Sequence, residues 1–382
     1  MASCNYVFQL AVNFLLMWQN LMITTVEDLK DLMERAHETN AVALDTEFVW
    51  ERTYYPKLGL IQLALSNEEC FLIDPCALDD LSPLGELLAD KSVVKIFHDA
   101  PQDLSILRAA TGKDPQNIFD TRLAAGFGGL TSTLSLGALI ELLLDIKLEK
   151  TETRTNWLKR PLNSRQTEYA MDDVRYLRAV RVLLLARILP EAQQWMNEEL
   201  QRLDNPENYL GITDEERYTK IKGAGSLNSQ SLAILQELGT WREVEARKRN
   251  RPRGHIIKDT VLLSIARDHL TDPDGMEKCG EISAKTIKAY APTLIQLVNK
   301  SLGRSKEECP PLLGIIKLSG KEKTALTGLQ DYITLKSDVS GIDPALIGNK
   351  NELMKCIRHT SLSTSRQKSG WRKQFLAEMK PQ

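Results

Sequence analysis

Between residues 41 and 190, short apolar runs alternate with stretches whose apolar positions recur every three or four residues. Residues 41–48, 58–65, 70–74 and 92–97 are rich in Val, Ile, Leu and Phe and read as strands of a buried sheet. Helical spacing fills 81–89, 101–110 and 163–189. Strands exchanging with helices imply an α/β domain with a mixed sheet over residues 22–190. A helix end and a polar linker follow over 191–226, with Asn205-Pro206, Gly211 and Gly223-Ala224-Gly225 as breakers. Beyond residue 227 the strand signal stops. Helical periodicity alone continues, first over 227–303 and again over 310–380, the two stretches parted by a hinge that contains Pro310-Pro311.

The first 26 residues carry no charged side chain. Their apolar run over 7–17 has no basic flank and falls short of the roughly 20 residues a spanning helix needs. Thr25, with Asp28 three places on, suits the start of a helix. The folded protein is therefore expected to begin near Met22, with residues 1–21 an extension that a misassigned start would explain.

A chain of 382 residues holding 42% hydrophobic and 26% charged residues has the makings of two or three globular units. The six cysteines form no C-x-x-C pair and have no histidine at zinc-ligand spacing, which excludes a disulfide scaffold and points to a reducing, cytoplasmic setting. The net charge of −2 rules out a uniformly basic coat, yet residues 242–258 carry a net +5 and residues 350–382 a net +6. Basic patches on an otherwise acidic chain are a charge asymmetry that bears on function, although a solvated helix end is the default for any charge run.

Three acidic segments carry candidate chemistry. On a strand, Asp45 and Glu47 project from one face while Thr46 and Phe48 project from the other. His98-Asp99 and Asp103 follow the strand that ends at Phe97 and open a helix, where acids also serve as caps. Tyr169 and Asp173 are four apart on a helix and share a face, although spacing alone does not choose between Asp172 and Asp173. Tyr54 and Tyr55 suit either a turn before Pro56 or stacking on a terminal base.

The ordered set Asp45-x-Glu47, Asp103 and Tyr169-x-x-x-Asp173 resembles the DEDD-type 3′→5′ exonucleases of the tyrosine-containing branch, and within it the ribonuclease D family. Supporting stretches are 42–48, 54–63, 119–121 and 154–162. Trp241-Arg242, Ala246, Asn250-Arg251-Pro252 and Ile257-Lys258-Asp259 are similar to the HRDC domain, with a weaker echo over 310–380. Asn156 stands where the family pattern has an acid.

The resemblance implies a ribonuclease-H-like fold followed by one or two helical HRDC-like bundles. It also implies a site that selects Asp103 over Asp99 and Asp173 over Asp172. Asp45, Glu47, Asp103 and Asp173 would hold two divalent ions, Mg²⁺ or Mn²⁺, as hard oxygen ligands. Asp45 would bridge the pair, Glu47 and Asp173 would complete the ion that binds the attacking water, and Asp103 would hold the other, mostly through water. Tyr169 would orient the water. Arg247, Lys248, Arg249, Arg251 and Arg253 would track RNA phosphates. The activity implied is trimming of tRNA precursors and other structured RNA from the 3′ end, with no membrane and no obligate protein partner. A DNA-directed exonuclease and a non-catalytic binding protein share the same residues. The lack of a G-x-x-x-x-G-K-[ST] loop disfavours a helicase.

Overall fold

The computed structural model describes residues 22–149, 152, 155–278, 282–313, 318–358 and 366–377. The expected extension over 1–21 lies outside them. The chain divides into two compact units, one of residues 1–49, 58–210 and 318–382, the other of residues 50–57 and 211–317.

The first unit is built on a six-stranded sheet of order β1-β4-β3-β2-β5-β6. The strands are β1 (Met22–Ile23), β2 (Ala41–Val49), β3 (Lys57–Ala64), β4 (Cys70–Ile73), β5 (Val94–Phe97) and β6 (Ile118–Asp120). β2, β5 and β6 run parallel, as do β1 and β4, while β3 and β4 are antiparallel, so the sheet is mixed. Helices α1 (Val26–His37), α2 (Ser82–Ala89), α3 (Pro101–Thr111), α4 (Thr121–Phe127), α5 (Leu136–Leu144), α6 (Ser164–Arg175), α7 (Leu177–Arg187) and α8 (Pro190–Gln201) accompany it. Thr25 caps α1, its hydroxyl accepting from the Asp28 N–H at 3.1 Å. The single helix expected over 163–189 is two, α6 and α7, divided at Tyr176.

Ala41 to Leu44 of β2 are almost wholly enclosed, and from Asp45 onward every residue but the buried Thr46 is partly exposed as the strand leaves the core. Such a strand places polar side chains only at its end, which is where a site can form.

The second unit packs α9 (Ser229–Arg249), α10 (Arg253–Ile256), α11 (Asp259–Asp268), α12 (Pro273–Lys278) and α13 (Ala284–Leu302) around Leu232, Leu235, Leu238, Leu262 and Leu294. The stretch read as a helix end and polar linker over 191–226 is structured beyond the helix end. Leu203 and Tyr209 enter the core of the first unit, whereas Tyr218, Ile221 and Ala224 enter that of the second.

The last segment, expected over 310–380 as a helical domain of its own, groups from residue 318 with the first unit. Its helices are α14 (Gly320–Ser340), α15 (Pro344–Ile347), α16 (Lys350–Ile357) and α17 (Gly370–Leu376). Leu329, Ile333, Ile347, Trp371 and Phe375 belong to the core that also contains Phe127 and Met196. The physical reason is a buried ion pair. Arg372 donates to both Glu199 oxygens at 2.6 and 2.8 Å, and the Trp371 indole N–H donates to Glu199 at 2.8 Å.

Candidate active site

Asp45 lies two residues past Ala43, which is in register with Ile96 of the parallel strand β5. The chain leaving β5 turns through Asp99, at φ 66°, and enters α3 with Asp103 in its first turn. Parallel pairing thus brings the ends of β2 and β5 together. The turn is held from the next strand: the buried Asp120 carboxylate accepts the N–H groups of Asp99 at 3.2 Å, Ala100 at 2.9 Å and Arg122 at 2.8 Å. Ala100 has no side-chain cap of its own, so Asp120 supplies the acceptor that the helix start lacks.

Helix α6 brings the remaining groups. Asn163 and Gln166 close a capping box at 2.9 Å in each direction, and Thr167, Ala170, Met171 and Val174 are buried. Tyr169 and Asp173 occupy the adjoining face. Carboxylate oxygens of Asp45, Glu47 and Asp173 lie within 4.8 Å of one another. Asp103 stands beside this trio, 8% exposed, and accepts a hydrogen bond from the Thr46 hydroxyl. Asp99 instead pairs with Arg122, and Asp172 with Arg175 at 3.0 Å.

Crowding like charges away from water disfavours ionisation. Burial, then the charges of Asp103, Asp173 and Glu47, raise the Asp45 carboxyl well above its usual range. Burial, with Asp173 and Asp103 adding to it, pushes Glu47 up to about 8. Burial takes Asp103 and Asp173 to about 7 each, although the Thr46 hydroxyl lowers the first and the Tyr169 hydroxyl the second. Burial followed by the neighbouring carboxylates raises the Tyr169 phenol, which keeps its proton at neutral pH. Among the described residues none of the four carboxylates has an ion-pair partner. Such a set of hard oxygen donors fits a hard, oxygen-seeking divalent cation better than Zn²⁺, which favours nitrogen and sulfur ligands. His98 also borders the cleft, but Thr121 engages its Nδ1 at 2.9 Å and the Leu134 carbonyl its Nε2 at 3.1 Å.

Several supporting residues had no individual role in the sequence reading. Thr46, expected to face away from the carboxylates, holds Asp103. Trp157, 3% exposed, packs its ring 6.2 Å from that of Tyr169. Its loop is fastened by Arg160, which donates to the two Asp74 oxygens and to the Gly59 carbonyl at 2.6 Å each, and to the Trp157 carbonyl at 2.8 Å. A Cβ on Gly59 would approach Trp157 to 2.8 Å, so this close contact requires glycine. Asn156 turns the same loop, its side-chain oxygen accepting from the Leu158 N–H at 3.2 Å. The quoted motif stretches over 54–63 and 154–162 were the signal for these contacts.

In the second unit, the basic run is largely occupied. Arg247 pairs with Asp214, Arg249 with Glu245 and Arg253 with the fully enclosed Glu243. Lys248 and Arg251 are exposed, and their side chains have no hydrogen-bond or ion-pair partner among the described residues.

No helix of the described residues is long and apolar enough to cross a membrane. Residues 20–188 match the 3′-5′ exonuclease family model and residues 231–298 the HRDC domain model. Ribonuclease D of Desulfotalea psychrophila is 52% identical over 366 residues, covering 95% of this chain and 98% of that protein. Ribonuclease D of Escherichia coli is 33% identical over 94% of this chain and 96% of its own length. The crystal structure of E. coli RNase D, described as an exoribonuclease involved in structured RNA processing, superposes with a TM-score of 0.81 at 31% identity, covering 94% of this chain and 96% of that one. With its acidic cleft on a mixed sheet and its HRDC helices, the chain belongs to the ribonuclease D family of 3′→5′ exoribonucleases.

Proposed function

We propose that this exoribonuclease hydrolyses RNA at Asp45, Glu47, Asp103 and Asp173 with two divalent ions, Mg²⁺ or Mn²⁺. It releases nucleoside 5′-monophosphates and trims tRNA precursors and other structured RNA in the cytoplasm. The observation that carries this reading is the convergence of Asp45, Glu47 and Asp173 within 4.8 Å, with no ion-pair partner for them among the described residues. Bound ions would supply an activated water and neutralise charge on the scissile phosphate and the leaving oxygen.

The side chains divide the remaining work. Asp45, Glu47, Asp103 and Asp173 would hold the ions in their deprotonated form. Thr46 holds the Asp103 carboxylate in place. Tyr169, backed by Trp157, offers its phenolic hydrogen to orient the attacking water and is too weak an acid to act as a base at neutral pH. Lys248 and Arg251 hold the body of the RNA through its phosphates, and Arg247, Arg249 and Arg253, already engaged by acids of the chain, add less.

The test is incubation with a 3′-extended tRNA and chromatographic identification of the products. Stepwise shortening from the 3′ end with release of 5′-monophosphates, lost in EDTA and restored by Mg²⁺ or Mn²⁺, is expected. Internal cleavage, or digestion that continues in EDTA, would overturn the reading. The same oligonucleotide as DNA tests the choice of sugar.

A further inference from the structure

We propose that Trp50 and Tyr55 form a stacking platform for unpaired bases at the 3′ end of the RNA, an inference that rests on the exoribonuclease reading. Trp50 is 49% and Tyr55 55% exposed, yet neither sits on a loose loop. The Trp50 indole N–H donates to the Tyr54 carbonyl at 2.9 Å, and the Thr53 hydroxyl donates to the Tyr55 carbonyl at 2.6 Å. The Asn250 side-chain oxygen accepts the N–H groups of Tyr54 at 3.0 Å and Tyr55 at 3.5 Å.

Tyr54 is the anchor. Its hydroxyl donates to Glu243 at 2.8 Å, and the guanidinium groups of Arg247 and Arg253 lie 5.8 and 5.0 Å from its ring centre. Tyr54 is therefore consumed by the fold and is unsuited to the base stacking that its sequence also allowed. Its ring meets Tyr55 edge-on, with centres 4.9 Å apart and planes at 80°. The anchor fixes Tyr55 while leaving it in solvent.

Two large aromatic rings held by a hydrogen-bonded loop with about half their surface in water leave apolar area that a flat apolar partner would cover. Every base offers such a face, so stacking tolerates any sequence, as an enzyme that removes successive nucleotides requires. The loop also carries Arg52 and Lys57 against the lone acid Glu51, which suits a phosphate backbone. Along the chain Trp50 follows Glu47 by three residues.

The experiment measures fluorescence-polarisation binding in an Asp45→Asn background, which preserves the RNA. One probe is a hairpin with a single-stranded 3′ overhang and the other is the same hairpin with a blunt end. Trp50→Ala and Tyr55→Ala should each weaken binding of the overhang by about 5-fold or more, with little change for the blunt hairpin. Trp50→Phe and Tyr55→Phe should restore most of the loss. Equal losses on both hairpins, unchanged binding by both alanine variants, or phenylalanine variants as weak as alanine would overturn the platform. Failure of the parent protein to shorten the overhang in Mg²⁺ or Mn²⁺ would strike the exonuclease reading instead, because the binding comparison involves no turnover.

Discussion

In the exonuclease unit, Asp45, Glu47, Asp103 and Asp173 crowd together with no ion-pair partner among the described residues. In the helical unit, Arg247, Arg249 and Arg253 each lie against a carboxylate of the same chain. Both regions looked like functional charge clusters in the sequence. A charge matched within the chain is occupied by the fold, whereas like charges held together at the cost of ionisation mark a candidate site for a bound cation. The Glu199–Arg372 pair belongs to the first kind, although it lies in the same unit as the acidic site.

The largest effect that would break this contrast is expected at Asp45. Asp45→Asn should lower turnover by on the order of 10³-fold or more while RNA binding stays nearly intact, measured by single-turnover digestion and by filter binding. Removing one partner of the matched pair acts on stability instead. Glu199→Gln leaves Arg372 buried without its counter-charge and should cost about 3–5 kcal/mol in denaturant unfolding.

The metal-free protein should lose stability as pH rises from about 5 to 8. Glu47, Asp103 and Asp173, held near 8, 7 and 7, keep protons that the unfolded chain releases at its ordinary carboxylate values, so unfolding releases protons across this window. Thermal melts in EDTA should show the decline, and Mg²⁺ should weaken it by binding the deprotonated site. A flat profile in EDTA would mean that the carboxylates are not strained. The smallest effect concerns the basic run. Replacing Lys248 and Arg251 by alanine should reduce the slope of log binding constant against log salt by about 1.5, and replacing Arg249, which Glu245 already engages, by less.

Much of the acidic site was legible because its spacing is local. The two-residue period of a strand aligns Asp45 with Glu47, and the turn of a helix aligns Tyr169 with Asp173. Asp103 could not be told from Asp99 by spacing. Their difference is set by Arg122 and Thr46, 23 and 57 residues away from Asp99 and Asp103 respectively. Asp120 and Arg160 act through partners equally remote in sequence, and Asp120 sits in a strand of three residues, too short to show a period. The basic run was visible, but its neutralisation by Asp214 and Glu243 was not. The C-terminal helices showed their periodicity without showing which core they would complete, because that choice depends on Glu199 meeting Arg372.

Asp45, Glu47, Asp103 and Asp173 are proposed as a cage for divalent cations. Titration of the metal-free protein with Mn²⁺, followed by electron paramagnetic resonance, tests it most directly. Saturable binding of two ions per chain is expected in the parent protein, with a clear loss of that binding in Asp45→Asn. No saturable binding, or an isotherm that Asp45→Asn leaves unchanged, would contradict it.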